Sequence, residues 1–301
     1  MRLTEGRYIS LLTDFGFKRI FGSDINKDLL IDFLNSLFNG EQVVKNVTYL
    51  NSEHVGDVYA ERKAIFDVYC ENEHGEKFIV EMQNAYQTYF KDRSLYYATF
   101  PIREQAPKGD NWNFKLPHVY VVALLNNDMN EEAFSHESIN HDVGLLDKQT
   151  HKVFNNKLTF KYVEIARFNK DINELETNFD KWLYVLRNLS RLDNQPTYLR
   201  NEVFNRLFSQ AEIARFDKKE LKAYEDSLKA YRDIKNSLDT AKEEGRAEGL
   251  AEGLEKGLEK GRAEGASEKA LTIAREMLAL NISVDTIKKV TGLTDNEIHD
   301  L

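Results

Sequence analysis

A pair of acidic residues, Asp67 and Glu81, carries the clearest chemical signal in the chain, because the sequence around them reads as a β-hairpin that sets one against the other. The runs from Ile65 to Asn72 and from Lys77 to Asn84 are rich in β-branched and aromatic residues. They flank Glu73-His74-Gly75, a three-residue loop whose last position favours glycine in the left-handed region. Such a loop pairs Asn72 with Glu76, and counting back along both strands brings Asp67 opposite Glu81, with β-carbons about 4.5 to 5.5 Å apart. Like charges so placed destabilise a sheet unless a proton or a cation lies between them, so the spacing suits a divalent metal. The period of two adds Gln83 to the same face and sends Phe66, Val68, Val80 and Met82 to the other, where burial is expected. A solvated polar face is the competing reading, and a slip of the turn by one residue would separate the two acids.

Several elements must hold this ribbon. Between Thr13 and Phe38 apolar residues fall at helical spacing, broken at Gly22-Ser23-Asp24, which predicts two helices ahead of the sheet. Val43 to Asn51 reads as a strand, and Tyr89 to Gln105 as a helix that Pro107-Lys108-Gly109-Asp110 ends. His118 to Leu125 is a nearly continuous apolar run of strand length, as a strand buried on both faces requires. Leu158 to Phe168 reads as one more strand. This order predicts an α/β fold, a mixed β-sheet flanked by helices. Helical periodicity then takes over in Leu175 to Leu192, Tyr198 to Phe216 and Lys219 to Leu238, an all-helical C-terminal extension with Trp182, Leu183, Leu186 and Leu189 on one stripe.

From residue 245 to 265 glycine recurs every fourth position within Glu, Lys, Arg, Ala and Leu. Each glycine costs a helix about 1 kcal/mol relative to alanine, and the repeat is either a helical linker or a glycine-lined seam between two copies. Beyond it Ala270 to Leu280 is amphipathic, Ser283 can cap a helix through Val290, and Thr294-Asp295-Asn296-Glu297 is a capping box after the turn Thr291-Gly292-Leu293. The pattern is a small three-helix cap or a helix-turn-helix, with Lys288 and Lys289 keeping DNA contact open. The expected divisions are 1–170 for the α/β core, 171–240 for the helical extension, 241–267 for the Gly-repeat linker and 268–301 for the cap.

Composition narrows the classes. With 301 residues, 42% of them hydrophobic, the chain can bury one sizeable core plus a smaller unit. No stretch approaches the roughly 20 apolar residues of a membrane span, and no apolar region follows a basic start, so a cytoplasmic setting without export is expected. A single cysteine, Cys70, excludes an internal disulfide and a zinc ribbon. The formal net charge of -9 counts against wrapping nucleic acid, leaving local basic patches and metal bridging as routes to it. His136 and His141 are too far apart for a zincin helix, and no phosphate-binding P-loop or dinucleotide fingerprint is present.

Asp67, the turn and Glu81-Met82-Gln83 together resemble the signature of the PD-(D/E)XK nuclease superfamily, in the version where Gln replaces the final Lys. More narrowly, the chain resembles the PD-(D/E)XK nuclease family transposases, or recombination-promoting nucleases. The matching features are Thr13 to Gly22, the two hairpin strands, Arg93-Ser94-Leu95-Tyr96-Tyr97, the strand His118 to Leu125 and the Gly-repeat tail. The resemblance implies a restriction-endonuclease-like core and a metal-dependent DNA endonuclease, with Mg²⁺, or Mn²⁺, held by Asp67 and Glu81. It places the amino-terminal helix beside the site, making Asp14 an auxiliary acid and Lys18 a phosphate contact, although the two also read as an intrahelical ion pair. Arg93 and Tyr97, one turn apart, could hold a phosphate; packing explains Tyr97 equally well. Gln83 could orient water through its amide but brings no charge, so Gln83→Lys is expected to preserve or raise activity. Strand joining follows from the family name alone. The alternative is a catalytically weak or inactive nuclease fold acting as a DNA-binding or oligomeric interaction module, dimerising through its tail.

Overall fold

The computed structural model describes residues 6–54, 64–106, 112–127, 129, 131–135 and 137–301. The expected helix stop at 107–110 and His136 lie outside them. Two helices come first, α1 (Asp14–Phe21), capped by the Thr13 side chain, and α2 (Lys27–Phe38). They are followed by β1 (Val47–Tyr49) and the short strands β2 (Glu53–His54) and β3 (Ala64–Ile65), which pair only with each other. The hairpin is β4 (Val68–Asn72) and β5 (Lys77–Gln83); helix α3 (Phe90–Glu104) then leads towards β6 (Val119–Leu125). A second hairpin, β7 (Asn140–Leu146) and β8 (Val153–Val163), completes a six-stranded sheet of order β1-β4-β5-β6-β8-β7. Pairing is parallel for β5 with β6 and for β6 with β8, and antiparallel elsewhere, so the sheet is mixed.

Alternation along the central strands builds a core on each face. Val68, Cys70, Phe78, Val80, Tyr120, Val122 and Leu124 pack with α1 and α2, while Tyr69, Ile79, Val119, Val121 and Ala123 pack with residues of α3. That is why β6 is buried at every position. Helices α4 (Asn178–Asn188) and α5 (Glu202–Ala211) bring Trp182, Leu183, Leu186, Phe204 and Leu207 into the first of these cores, as do Tyr224 and Leu228 from the start of α6 (Lys218–Ala279). Residues 171–240, read from the sequence as an extension, thus supply much of the layer beneath the sheet.

The chain divides into two units, residues 1–235 and 236–301. In the second, the rest of α6 is followed by α7 (Val284–Thr291) and α8 (Asp295–His299), and Ala274, Ile287, Leu293 and Ile298 form its small core. The Thr294 capping box forms, and Gly292 ends α7 in the left-handed region; Ser283 stands at the N-cap of α7 but bonds Thr286 rather than a backbone N–H. The Gly repeat is helical, and a β-carbon at any of its glycines would meet nothing within 4 Å.

Two local expectations change, and one strand is added. The last strand starts at Val153 and stops at Val163, and residues 165–167 form a 3-10 turn instead of continuing it. Strand β7 has little apolar alternation of its own; it forms as the partner of the long β8, with register shifts from Gly144 to Leu146. Phe66 does not share a face with Val68. The chain bends at Asp67, and Phe66 packs against Tyr69, Tyr97 and Phe100 on the α3 side.

Candidate active site

The turn works as its length requires. Gly75 has φ +76°, and the Asn72 N–H donates to Glu76 O at 3.0 Å. The ladder pairs Glu71 with Lys77 and continues to Val68 with Val80, so one further step sets Asp67 opposite Glu81. There the ladder gives way to side chains. The Met82 N–H donates to Asp67 Oδ2 at 2.9 Å, the Phe66 N–H turns to Ser52 O at 2.9 Å, and the Asp67 N–H donates to Glu81 Oε1 at 3.1 Å. Each acid therefore has one oxygen engaged by a backbone N–H. The other oxygen faces a cation beyond hydrogen-bond reach: Asp67 Oδ1 lies 3.9 Å from Lys18 Nζ, and Glu81 Oε2 lies 4.0 Å from Arg93 Nη2.

Burial raises the Asp67 carboxyl above its ordinary value, against the pull of the Met82 N–H and Lys18. Glu81 is pushed up to about 8, by burial first and by the Asp67 carboxylate second. Burial and the neighbouring charge thus drive the pair towards protonation, a cost that a bound cation would relieve. Its donors are carboxylate oxygens alone, and among the described residues no group of three His, Cys, Asp or Glu gathers to hold a metal. Two hard oxygen donors on the protein, with the remaining positions left to water and phosphate oxygens, fit Mg²⁺ or Mn²⁺.

Elements from three parts of the chain converge on the pair. Helix α1 brings Lys18, whose Nζ bonds Asp14 at 2.7 Å. Burial pushes the Lys18 ammonium down, but the Asp14 hydrogen bond and the surrounding carboxylates outweigh it and leave it raised. Asp14 is mostly exposed; it reaches the pair through its bond to Lys18 and through its charge, which adds to the rise of Asp67. Helix α3 brings Arg93 and Tyr97, with the guanidinium carbon 5.5 Å from the Tyr97 ring centre and 5.1 Å from that of Phe90. Burial raises the Tyr97 hydroxyl. Gln83, at the end of β5, is 6% exposed and bonded at both ends of its amide: its Nε2 donates to Ala85 O at 2.8 Å and its Oε1 accepts Arg93 Nη2 at 2.7 Å. The amide expected to orient water is therefore held in one orientation by the main chain and Arg93.

Gln87, which accepts Arg93 Nη1 at 2.5 Å, gives no sequence signal. It sits in the loop before α3, and only the fold of that loop brings it to the guanidinium. Asn84 ties the end of β5 to the amino-terminal segment by donating to Leu12 O at 2.6 Å, and Asn126 donates to Asn84 Oδ1 at 3.2 Å. Polar residues after a buried strand could have marked that tie.

Two family models match the chain. One, described as PD-(D/E)XK nuclease family transposase, covers residues 11–241; the other, described as Rpn/YhgA-like nuclease family, C-terminal HTH domain, covers residues 267–301. No curated protein and no solved structure matches it.

Proposed function

Because the chain belongs to the PD-(D/E)XK nuclease family transposases, we propose that it is a metal-dependent DNA endonuclease whose site is the Asp67 and Glu81 pair. The observation that carries this reading is the facing pair of acids itself, Glu81 buried and Asp67 half-buried, with one oxygen of each acid held by a backbone N–H and the other left without a hydrogen bond. Asp67 and Glu81 hold Mg²⁺, or Mn²⁺. The bound ion would supply a more acidic attacking water and neutralise charge building on the phosphate. The chain's own groups do the positioning. The Met82 N–H fixes Asp67, the Asp67 N–H fixes Glu81, and Lys18 and Arg93 flank the two acids where a phosphodiester's negative charge has to enter. Asp14 orients Lys18, and Tyr97 supports Arg93 from below.

DNA is the partner of this reading, and the match of residues 267–301 to a C-terminal HTH domain supports a second contact with it through α7 and Lys289. Leu250, Leu254 and Leu258 are exposed along α6 beside the glycines, which supports a homodimer through that helix. No described helix is long and apolar enough to cross a membrane, and the proposed location is the cytoplasm.

The test is nicking of supercoiled plasmid DNA in Mg²⁺ or Mn²⁺ by the full chain and by Asp67→Ala. Nicking by the parent alone supports the proposal, and strand-transfer products in the same assay would extend it to transposition. A second reading, the inactive interaction module, is favoured by the bonds that tie Gln83 to Ala85 and Arg93; it is selected if DNA binds without being cut under any divalent ion.

A further inference from the structure

We propose that Gln83 is a positioning residue and that Arg93, which it holds, is the group that meets the negative charge of the scissile phosphate beside the acid pair. This rests on the nuclease reading of Asp67 and Glu81. The Gln83 carboxamide cannot turn freely, because its Nε2 is bonded to Ala85 O. Its Oε1 is thereby presented to Arg93 as an acceptor, and Gln87 takes the other end of the guanidinium. Two neutral acceptors and the ring faces of Phe90 and Tyr97 hold the cation without cancelling its charge.

The spacing to Glu81 separates this arrangement from a structural ion pair. An Arg paired for stability closes on a carboxylate to about 2.8 Å, commonly with both nitrogens. Here Nη2 stops at 4.0 Å from Glu81 Oε2, and Nε is buried with no hydrogen-bond partner. Of the two cations at the site, Lys18 is bonded to a carboxylate, whereas Arg93 is bonded to none. The uncancelled charge therefore sits on Arg93. A lysine at position 83, the residue of the commoner motif, would remove the acceptor and place an ammonium against the guanidinium. Gln83→Lys is accordingly expected to lose activity, the opposite of what the motif alone suggests.

Plasmid nicking in Mg²⁺ by full-length variants, paired with metal-free DNA binding across a salt series, tests the assignment. Arg93→Gln should lower nicking about 100-fold, as loss of one preorganised donor does. Gln83→Ala should lower it about 10-fold in the parent but not further in an Arg93→Gln background, the non-additivity expected of residues acting through one another. Gln83→Lys should fall as low as Arg93→Gln. Methylguanidinium should restore part of the rate to Arg93→Ala and none to Asp67→Ala, a rescue that a merely structural arginine would not show. In the binding series Arg93→Gln should reduce the slope of log affinity against log salt by about one. Full nicking by Arg93→Gln, or independent effects of the two substitutions, overturns the proposal. If the parent itself does not nick, the nuclease reading falls, and the salt slope alone decides whether Arg93 meets a phosphate: an unchanged slope overturns that too.

Discussion

Near its turn the β4–β5 hairpin sets Glu71 opposite Lys77, and the two close an ion pair; at its open end the same two strands set Asp67 opposite Glu81. Both pairs follow from one alternation, and the ends have been given opposite electrostatics. A polar residue was not needed at position 81 for solubility alone, since Glu81 is 7% exposed. The turn end shows the inexpensive solution, in which opposite charges face each other for a few tenths of a kcal/mol up to about 1 kcal/mol of gain. The open end keeps two acids that burial and mutual repulsion drive towards protonation. Under the proposed function the bound cation is what offsets that cost.

The contrast is broken most directly by neutralising one acid at a time. Asp67→Asn and Glu81→Gln should each cut Mg²⁺-dependent nicking by at least about 100-fold, beyond what loss of an outer-shell partner costs a metal site. Their metal-free melting temperatures should match or exceed the parent's. Melting well below the parent would make the two acids ordinary structural residues.

Stability against pH sharpens the contrast, because the two ends of the sheet respond with opposite sign. At the open end Glu81 is raised from 4.5 to about 8, so the folded chain holds that proton more tightly than the unfolded one. The stabilisation is complete below pH 4.5 and is lost as pH rises through 8; Glu81→Gln should remove this slope, and Mg²⁺ should offset it. At the turn end His118 stacks on Tyr120, with ring centres 3.8 Å apart, and burial, then Lys157, lowers it from 6.5 to about 4. Its contribution is present above pH 6.5 and is lost as pH falls through 4, a slope that His118→Gln should remove. Metal-free urea melts of the parent and both variants across this range check the two arms.

Glu71→Gln should cost no more than about 1 kcal/mol and leave nicking intact, as expected of a partly exposed pair. Loss of nicking in that variant would mean that the two ends are not independent. The smallest effect is expected from ending the chain at Leu238. The core made by α1, α2, α4, α5 and the first turns of α6 remains, so melting temperature and plasmid nicking should stay near the parent's while DNA affinity falls. A collapsed melt would show that the sheet depends on the second unit.

Much of this was legible in the sequence where local rules decide. Gly75 and the three-residue turn set the hairpin register, apolar spacing marked α1 and α2, and the nearly unbroken run before Leu125 marked β6 as buried on both sides. In the second unit the Thr294 box and Gly292 were equally readable. Strand β7 was not, since of its residues only His141 is buried and its pairing comes from the length of β8. Phe66 was misplaced because period two holds only while the strand stays straight, and at the Asp67 bend the ladder bonds are replaced by bonds to Ser52 and to the two acid side chains.

By itself, then, the sequence determined that Asp67 and Glu81 face each other, because turn length and strand alternation act over a few residues. It could not determine what surrounds them. Lys18 arrives on α1 and Arg93 on α3, from opposite sides of the strand pair in the chain, and the burial that raises both carboxyls exists only once the fold is assembled. The role of Gln83 was decided last of all, by an Ala85 carbonyl and a guanidinium that only the folded loop before α3 brings to either end of its amide.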